Sequence, residues 1–179
     1  GSSGALISMG ALQMGLHEEE LPEIIDSWRE ANPKIVQYWW DTEKAAMTAY
    51  KTGERQEVGK IAFEFYSGTL WMVLPSGRRL AYLKPKQQPN RFGRMSLTYE
   101  GVGQNHKWSR QETYSGRLVE NATQAIARDI LAEAMDRISA EGLNIVAHVH
   151  DEVIIEAPKG QYTVDEVCKL MSVNPAWCK

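Results

Sequence analysis

Cysteine is nearly absent from this sequence: Cys168 and Cys178 are the only two, both near the C-terminal end. No second pair at metal-ligand spacing accompanies them, and they read as reduced thiols of a cytosolic protein. No run approaches the roughly 20 apolar residues that a membrane helix needs. No charged-then-apolar segment opens the chain either, so neither a membrane partner nor a secretory signal is expected. No charge of one sign dominates, with 20 basic against 23 acidic side chains and a formal net charge of -3. That balance excludes a wholly basic, histone-like binder while leaving room for a local basic groove. There is no internal repeat and no low-complexity tract. Gly1-Ser2-Ser3-Gly4 is a tag or a natural turn, and is given no function. The sequon Asn121-Ala122-Thr123 falls in a helical run and is expected to be chance.

What is present suffices for a real core: 179 residues with 43% hydrophobic content, expected to form one main domain. Behind the acidic stretch Glu18-Glu19-Glu20, which suits the positive end of a helix dipole, Leu21, Ile24, Ile25 and Trp28 recur at helical spacing. Asn32-Pro33 then supplies a cap and a first-turn proline, and Val36, Trp39, Trp40, Met47 and Tyr50 continue one face until Gly53. These two helices are expected to pack as a pair. Ile61 to Tyr66 and Leu70 to Leu74 are β-rich, Pro75-Ser76-Gly77 is turn chemistry, and Arg78 to Leu83 returns as a strand. Residues 84 to 94, with Lys84, Lys86, Arg91 and Arg94 among prolines and glutamines, read as a solvated or phosphate-contacting loop. Met95 to Tyr99 and His106 to Tyr114 look like further short strands. The tryptophans Trp28, Trp39, Trp40 and Trp71 fit core positions better than base-stacking ones.

From Gly116 a long helix is predicted to run to about Ala140, ended by Gly142, with Val119, Ala122, Ala125, Ile126, Ile130, Ala134 and Ile138 making a broad apolar side. Against it stands a polar stripe, Arg117, Asn121, Gln124 and Arg128, spaced three or four apart. Asn144 to His150 and Val153 to Glu156 follow as apolar strands separated by Asp151 and Glu152, a tight antiparallel hairpin with a charged tip. Its apolar strands place it inside a sheet, with the tip facing a cleft. Thr163 caps a last helix that ends near Met171. The chain is expected to be α+β, its antiparallel sheet containing the 144–156 hairpin and backed by the long helix, with the 18–52 helix pair at one end. Three stretches divide it: a helical pair over 1–54, β-rich hairpins over 55–114, and the long helix, hairpin and final helix over 115–179.

Val149-His150-Asp151-Glu152-Val153 carries the chemistry. A rigid turn holding two carboxylates and an imidazole is what a metal ligand needs. Magnesium takes hard oxygen ligands, often only one or two carboxylates from the protein, and leaves its other positions to water and phosphates. Asp151 fits that role. Taken alone, acidic residues at a hairpin tip more often simply keep the turn wet.

Val149-His150-Asp151-Glu152 behind an apolar strand resembles motif C of the family A DNA polymerases. Gln124-Ala125-Ile126-Ala127-Arg128-Asp129-Ile130-Leu131 resembles the palm helix that lies along the primer-template minor groove in that family. Leu74-Pro75-Ser76-Gly77-Arg78-Arg79-Leu80 resembles its Gly-Arg-Arg turn, and Ala31-Asn32-Pro33-Lys34-Ile35-Val36 the helix pair after the fingers. The four segments occur in the family's order and span nearly the whole chain.

The resemblance implies roles for particular residues. Asp151 would be a ligand of catalytic Mg2+, Glu152 a neighbour that tunes or bridges through water, and His150 a contact to the primer end. Gln124 would donate into the minor groove, where purine N3 and pyrimidine O2 accept at every base pair, with Arg117 and Asn121 beside it. Arg78 and Arg79 are further DNA-binding candidates, or simply surface charge. The partners implied are primer-template DNA and a deoxynucleoside triphosphate. The family's first catalytic aspartate and its nucleotide-gripping fingers helix belong before residue 1, so the chain by itself is expected to be inactive. Asn121 precedes Gln124 by three positions where cellular relatives use four, and the strand-like material over 84–114 is longer than theirs, which resembles the phage or prophage branch. Two other readings stay open: a zinc or manganese hydrolase or nuclease using His148, His150 and Asp151, whose histidines would share a strand face, and a noncatalytic nucleic-acid-binding module.

Overall fold

The computed structural model describes residues 3–90, 93–103 and 105–178. A short helix α1 (Ser3–Ser8) leads to α2 (Leu21–Ala31) and α3 (Pro33–Thr52). Both follow from local chemistry. Proline sits in the first turn of each, and α3 ends at Gly53, whose φ of 73° is the left-handed conformation that glycine adopts without a Cβ penalty. The elbow between them is held by the stacked rings of Trp28 and Trp39, 5.6 Å apart.

Six strands follow as an antiparallel meander in which every strand pairs with its sequence neighbour: β1 (Gln56–Val58), β2 (Ile61–Tyr66), β3 (Thr69–Val73), β4 (Arg79–Pro89), β5 (Met95–Val102) and β6 (Trp108–Glu112). Helix α4 (Ser115–Ala140) crosses the sheet's inner face beside α3. Ala45, Ala46 and Ala49 of α3 join Leu118, Ala122 and Ala125 of α4 in the core, over Phe63, Leu70, Met72, Tyr82 and Leu97 from the sheet. Alanines on both helices let the two axes approach closely. Each fully buried Phe, Leu or Met contributes roughly 1.5–3 kcal/mol.

The second half of β4 departs from the expected loop over 84–94. The strand runs on to Pro89 because β5 pairs with it, through a register shift between Leu83 and Lys86. Lys84 takes a φ of 44° there, and its ammonium meets Glu100 at 2.9 Å. Of the basic residues expected in that loop, Arg91 lies outside the described residues. The four tryptophans also differ from expectation: Trp28 and Trp40 are 42% and 50% exposed, and Trp39 and Trp71 are half-buried.

The hairpin of β7 (Asn144–Val149) and β8 (Glu152–Glu156) corrects a larger expectation. It forms a two-stranded sheet of its own rather than part of the main one. Strand β6 ends just before α4 and β7 begins just after it, and a 26-residue helix carries the chain about 39 Å between those points. Val146, Val149 and Ile154 are consequently about half exposed. Helix α5 (Val164–Met171) closes the chain, capped by Thr163, whose hydroxyl accepts from the Glu166 amide while Glu166 accepts from the Thr163 amide. Arg137 of α4 donates to the carbonyls of Leu170 and Val173, anchoring α5 to the far half of the long helix.

Candidate nucleic-acid interface

Helix α4 presents its polar stripe to an open trough along the sheet. One groove of about 530 Å³ is bordered by Arg78, Arg79, Tyr82, Asn121, Gln124 and Arg128. A second, of about 550 Å³, adjoins it at Tyr99 and Asn121 and is bordered by Arg117 and Gln111. All five residues expected to face DNA therefore border this one trough. Among the described residues its lining includes Arg78, Arg79, Arg117 and Arg128 and no carboxylate, in a chain whose net charge is -3. Arg78 and Arg79 are ion-paired with Asp129 and Glu64, so the charge that attracts a polyanion there is chiefly that of Arg117 and Arg128.

The members of the stripe are held differently. Gln124 is exposed, with its amide open to the groove. Asn121 donates through Nδ2 to the Tyr82 hydroxyl at 3.0 Å, tying the helix to the sheet. Burial pushes the Tyr82 phenol up to about 12, although the hydrogen bond from Asn121 opposes the rise. Arg117 donates to the Glu112 carbonyl and lies 5.7 Å from the centre of the Tyr114 ring, leaving other guanidinium donors free to act. Arg78 is largely committed inside the protein. Its Nε donates to Asp129 at 2.6 Å and its Nη2 to the Ala125 carbonyl, while Ser76 Oγ donates to the other Asp129 oxygen at 2.5 Å. Arg79 is paired with Glu64 at 3.5 Å.

At the hairpin, the turn is His150-Asp151, and Glu152 is the first residue of β8, opposite Val149. His150 has a φ of 54°, the left-handed conformation that tight two-residue turns require. That conformation takes His150 out of the extended strand, so the alternation that would place His148 and His150 on one face ends at Val149. His150, Asp151 and Glu152 are all exposed, and none of them borders the trough. Among the described residues no three of His, Cys, Asp or Glu are grouped to hold a metal ion. The turn thus offers at most a partial ligand set, of hard oxygen donors.

With this geometry in view, comparison with known proteins gives one informative match. The chain is similar to the DNA polymerase of Bacillus phage SP02. The two are 49% identical over 183 residues, which is all of this chain and 28% of the phage protein. The chain thus spans little more than a quarter of that relative's length. No protein-family model matches the chain, and no solved structure matches it. Among the described residues no helix is long and apolar enough to cross a membrane.

Several residues that build the interface are not evident from spacing. Asp129 lies on the apolar side of α4, and a charge at a core position is the signal that could have singled it out. Glu43 of α3 accepts from the Ser115 amide, placing a carboxylate at the positive end of α4. Burial raises its carboxyl above the usual range, and that hydrogen bond and the Arg94 charge pull the other way. Tyr99, at the junction of the two grooves, packs edge-on against Tyr82 at 5.1 Å.

Proposed function

We propose that this chain is the palm segment of a family A, template-directed DNA polymerase, and that its trough receives the primer-template duplex. The observation that carries the reading is the arginine-lined, carboxylate-free trough centred on Gln124, in a chain of net negative charge similar throughout to a DNA polymerase. A carboxamide donor suits the minor groove because every Watson–Crick pair offers an acceptor at equivalent positions, so Gln124 would sense pairing geometry without reading sequence. Arg117 and Arg128 would neutralise phosphates on either side, and Asn121 would position the helix through Tyr82. Arg78 would contribute chiefly by fixing the turn before β4 onto α4.

The hairpin would supply the metal side of the site. Asp151, with Glu152 next to it, offers oxygen ligands that suit magnesium, and His150 a contact to the primer end. The ion, when bound, would supply positive charge against the charge developing in phosphoryl transfer from a deoxynucleoside triphosphate.

Two measurements test this. In the first, the affinity of the chain for a primer-template duplex is followed as salt rises. Wild type should weaken steeply, and the Arg117→Ala, Gln124→Ala double variant should bind less tightly with a shallower salt slope. Unchanged binding removes the minor-groove face. In the second, the chain replaces its counterpart in the phage SP02 polymerase and primer extension is assayed. Asp151→Ala should lower extension by roughly 10²–10³-fold, since several kcal/mol of charge stabilisation are at stake and each 1.36 kcal/mol is tenfold. Equal extension by both chimaeras refutes the ligand assignment.

A further inference from the structure

We infer that the β5–β6 hairpin is a second duplex-contacting element, holding the sugar-phosphate backbone of the same nucleic acid beyond the reach of Gln124; this rests on the reading of the trough as a duplex site. The inner face of the sheet does not end where α4 stops covering it. Past Tyr99 it continues through Gly101 and Gly103 on β5 and the turn, and through Gln111 and Ser109 on β6, with register pairs Tyr99↔Gln111 and Gly101↔Ser109. Together with the start of α4 these residues form the second groove, and Arg117 stands at its border.

Two features suit this groove to a backbone rather than to an apolar ligand. Its polar lining consists of neutral donors and acceptors plus one arginine, with no carboxylate to repel phosphate. Its floor is kept open by glycine: a Cβ built at Gly103 would lie 2.8 Å from Gln111 Nε2, and one at Gly101 would lie 3.1 Å from the Tyr99 ring. The Gln111 amide nitrogen donates to Ser109 Oγ at 2.7 Å and to the Ser109 carbonyl at 3.4 Å, which holds it over the strand and leaves its oxygen to the groove. Gly103 is not in the left-handed conformation, so a side chain there changes the groove without straining the backbone.

Dimensions make the idea measurable. From Arg128 to Asn121, the stretch of α4 along the first groove, the helix advances about 10 Å, close to three base-pair steps. From Tyr99, which borders both grooves, to Gly103 the strand advances about 13 Å, or roughly four more. A duplex of about 6 base pairs can then lie on the first groove without reaching Gly103, and one of about 12 spans both grooves.

The test is fluorescence anisotropy of the 179-residue chain on labelled blunt DNA duplexes of those two lengths, with Gly103→Val, Gln111→Ala and Gln124→Ala variants. Gly103→Val pushes the Gln111 amide into the groove, and Gln111→Ala deletes it. Each should weaken binding of the long duplex about fivefold, the worth of one hydrogen bond, and leave the short duplex unchanged. Gln124→Ala should weaken both. If the hairpin variants bind the long duplex like wild type while Gln124→Ala weakens both, the hairpin contact is overturned and the trough reading survives. If Gln124→Ala has no effect on either duplex, the trough reading falls, and this inference with it. Gln111→Ala, on a partly exposed edge strand, keeps the test decisive should Gly103→Val fold poorly.

Discussion

Replacing Asp129 with alanine should destabilise the protein by about 2 kcal/mol while leaving the surface of the trough in place. Asp129 is 9% exposed in the folded chain, and its carboxylate accepts from Arg78 Nε at 2.6 Å and from Ser76 Oγ at 2.5 Å. Hydrogen bonds involving a charged group are worth roughly 1.5–3 kcal/mol each. Three corrections reduce the sum of two. Arg78 is 43% exposed, so water takes over part of its solvation when the partner goes. Removing a buried charge recovers desolvation cost. Alanine also favours helix by up to about 0.7 kcal/mol.

Urea unfolding followed by circular dichroism measures the net. For a chain of this size, about 2 kcal/mol corresponds to a melting shift of roughly 4–8 °C. Arg78→Ala should cost at least as much, because it strands the buried carboxylate, and the double variant should show a coupling of about 1–2 kcal/mol. A cost below about 0.5 kcal/mol for Asp129→Ala, within the range of ordinary surface substitutions, would refute the account. So would the absence of coupling. A loss of duplex binding in Arg78→Ala without any loss of stability would also refute it, making Arg78 a DNA contact rather than a brace.

Other expectations follow from single contacts. Ionising Tyr82 is resisted by burial, so its folded pKa of about 12 lies above the ordinary 10.0; that stabilisation is complete below pH 10.0 and is lost as pH rises through about 12. Burial raises the Tyr38 phenol as well, so ultraviolet titration should find late-ionising phenols of which Tyr82→Phe removes one, and that variant should flatten the alkaline loss of stability; an identical profile in the variant contradicts the burial argument. Thr163→Ala should cost about 1 kcal/mol by removing the cap of α5, seen as a lower urea midpoint, with no change meaning that α5 does not unfold with the rest. The Ala46 side chain is fully buried between the helices, so Ala46→Leu should destabilise by roughly 1–3 kcal/mol through overpacking. An unchanged melting temperature there would mean that α3 and α4 have room to spare.

Helix ends were legible because their causes are local. Pro33 and Gly53 bracket α3, Gly142 with a φ of 80° follows α4, and the Thr163 and Glu166 pair opens α5. The polar stripe on α4 was legible for the same reason, since three- and four-residue spacing determines which side chains share a helix face. Strand β4 was not legible beyond Leu83: prolines and lysines over 84–89 spell a loop, and only their pairing with β5, from Lys86↔Thr98 to Pro89↔Met95, makes them a strand. The Arg78–Asp129 ion pair, 51 residues apart, carries no local signature beyond a charge on an apolar face. Tyr99 and Gln111 looked like ordinary strand residues, and their place beside Asn121 depends on how the sheet passes under the helix.

By itself the sequence determined the order of elements, the residue types at the His150-Asp151 turn, and the register of polar and apolar positions along α4, because these depend on backbone propensity and on contacts a few residues long. Tertiary structure decided the rest. It gathered four arginines into one trough, committed Arg78 to Asp129 on α4 and Asn121 to Tyr82 on the sheet, and held the 144–156 hairpin apart from the six-stranded sheet. The physical reason is range: a groove is the gap between surfaces brought together by packing, and its charge is a sum over residues that only the folded core makes neighbours.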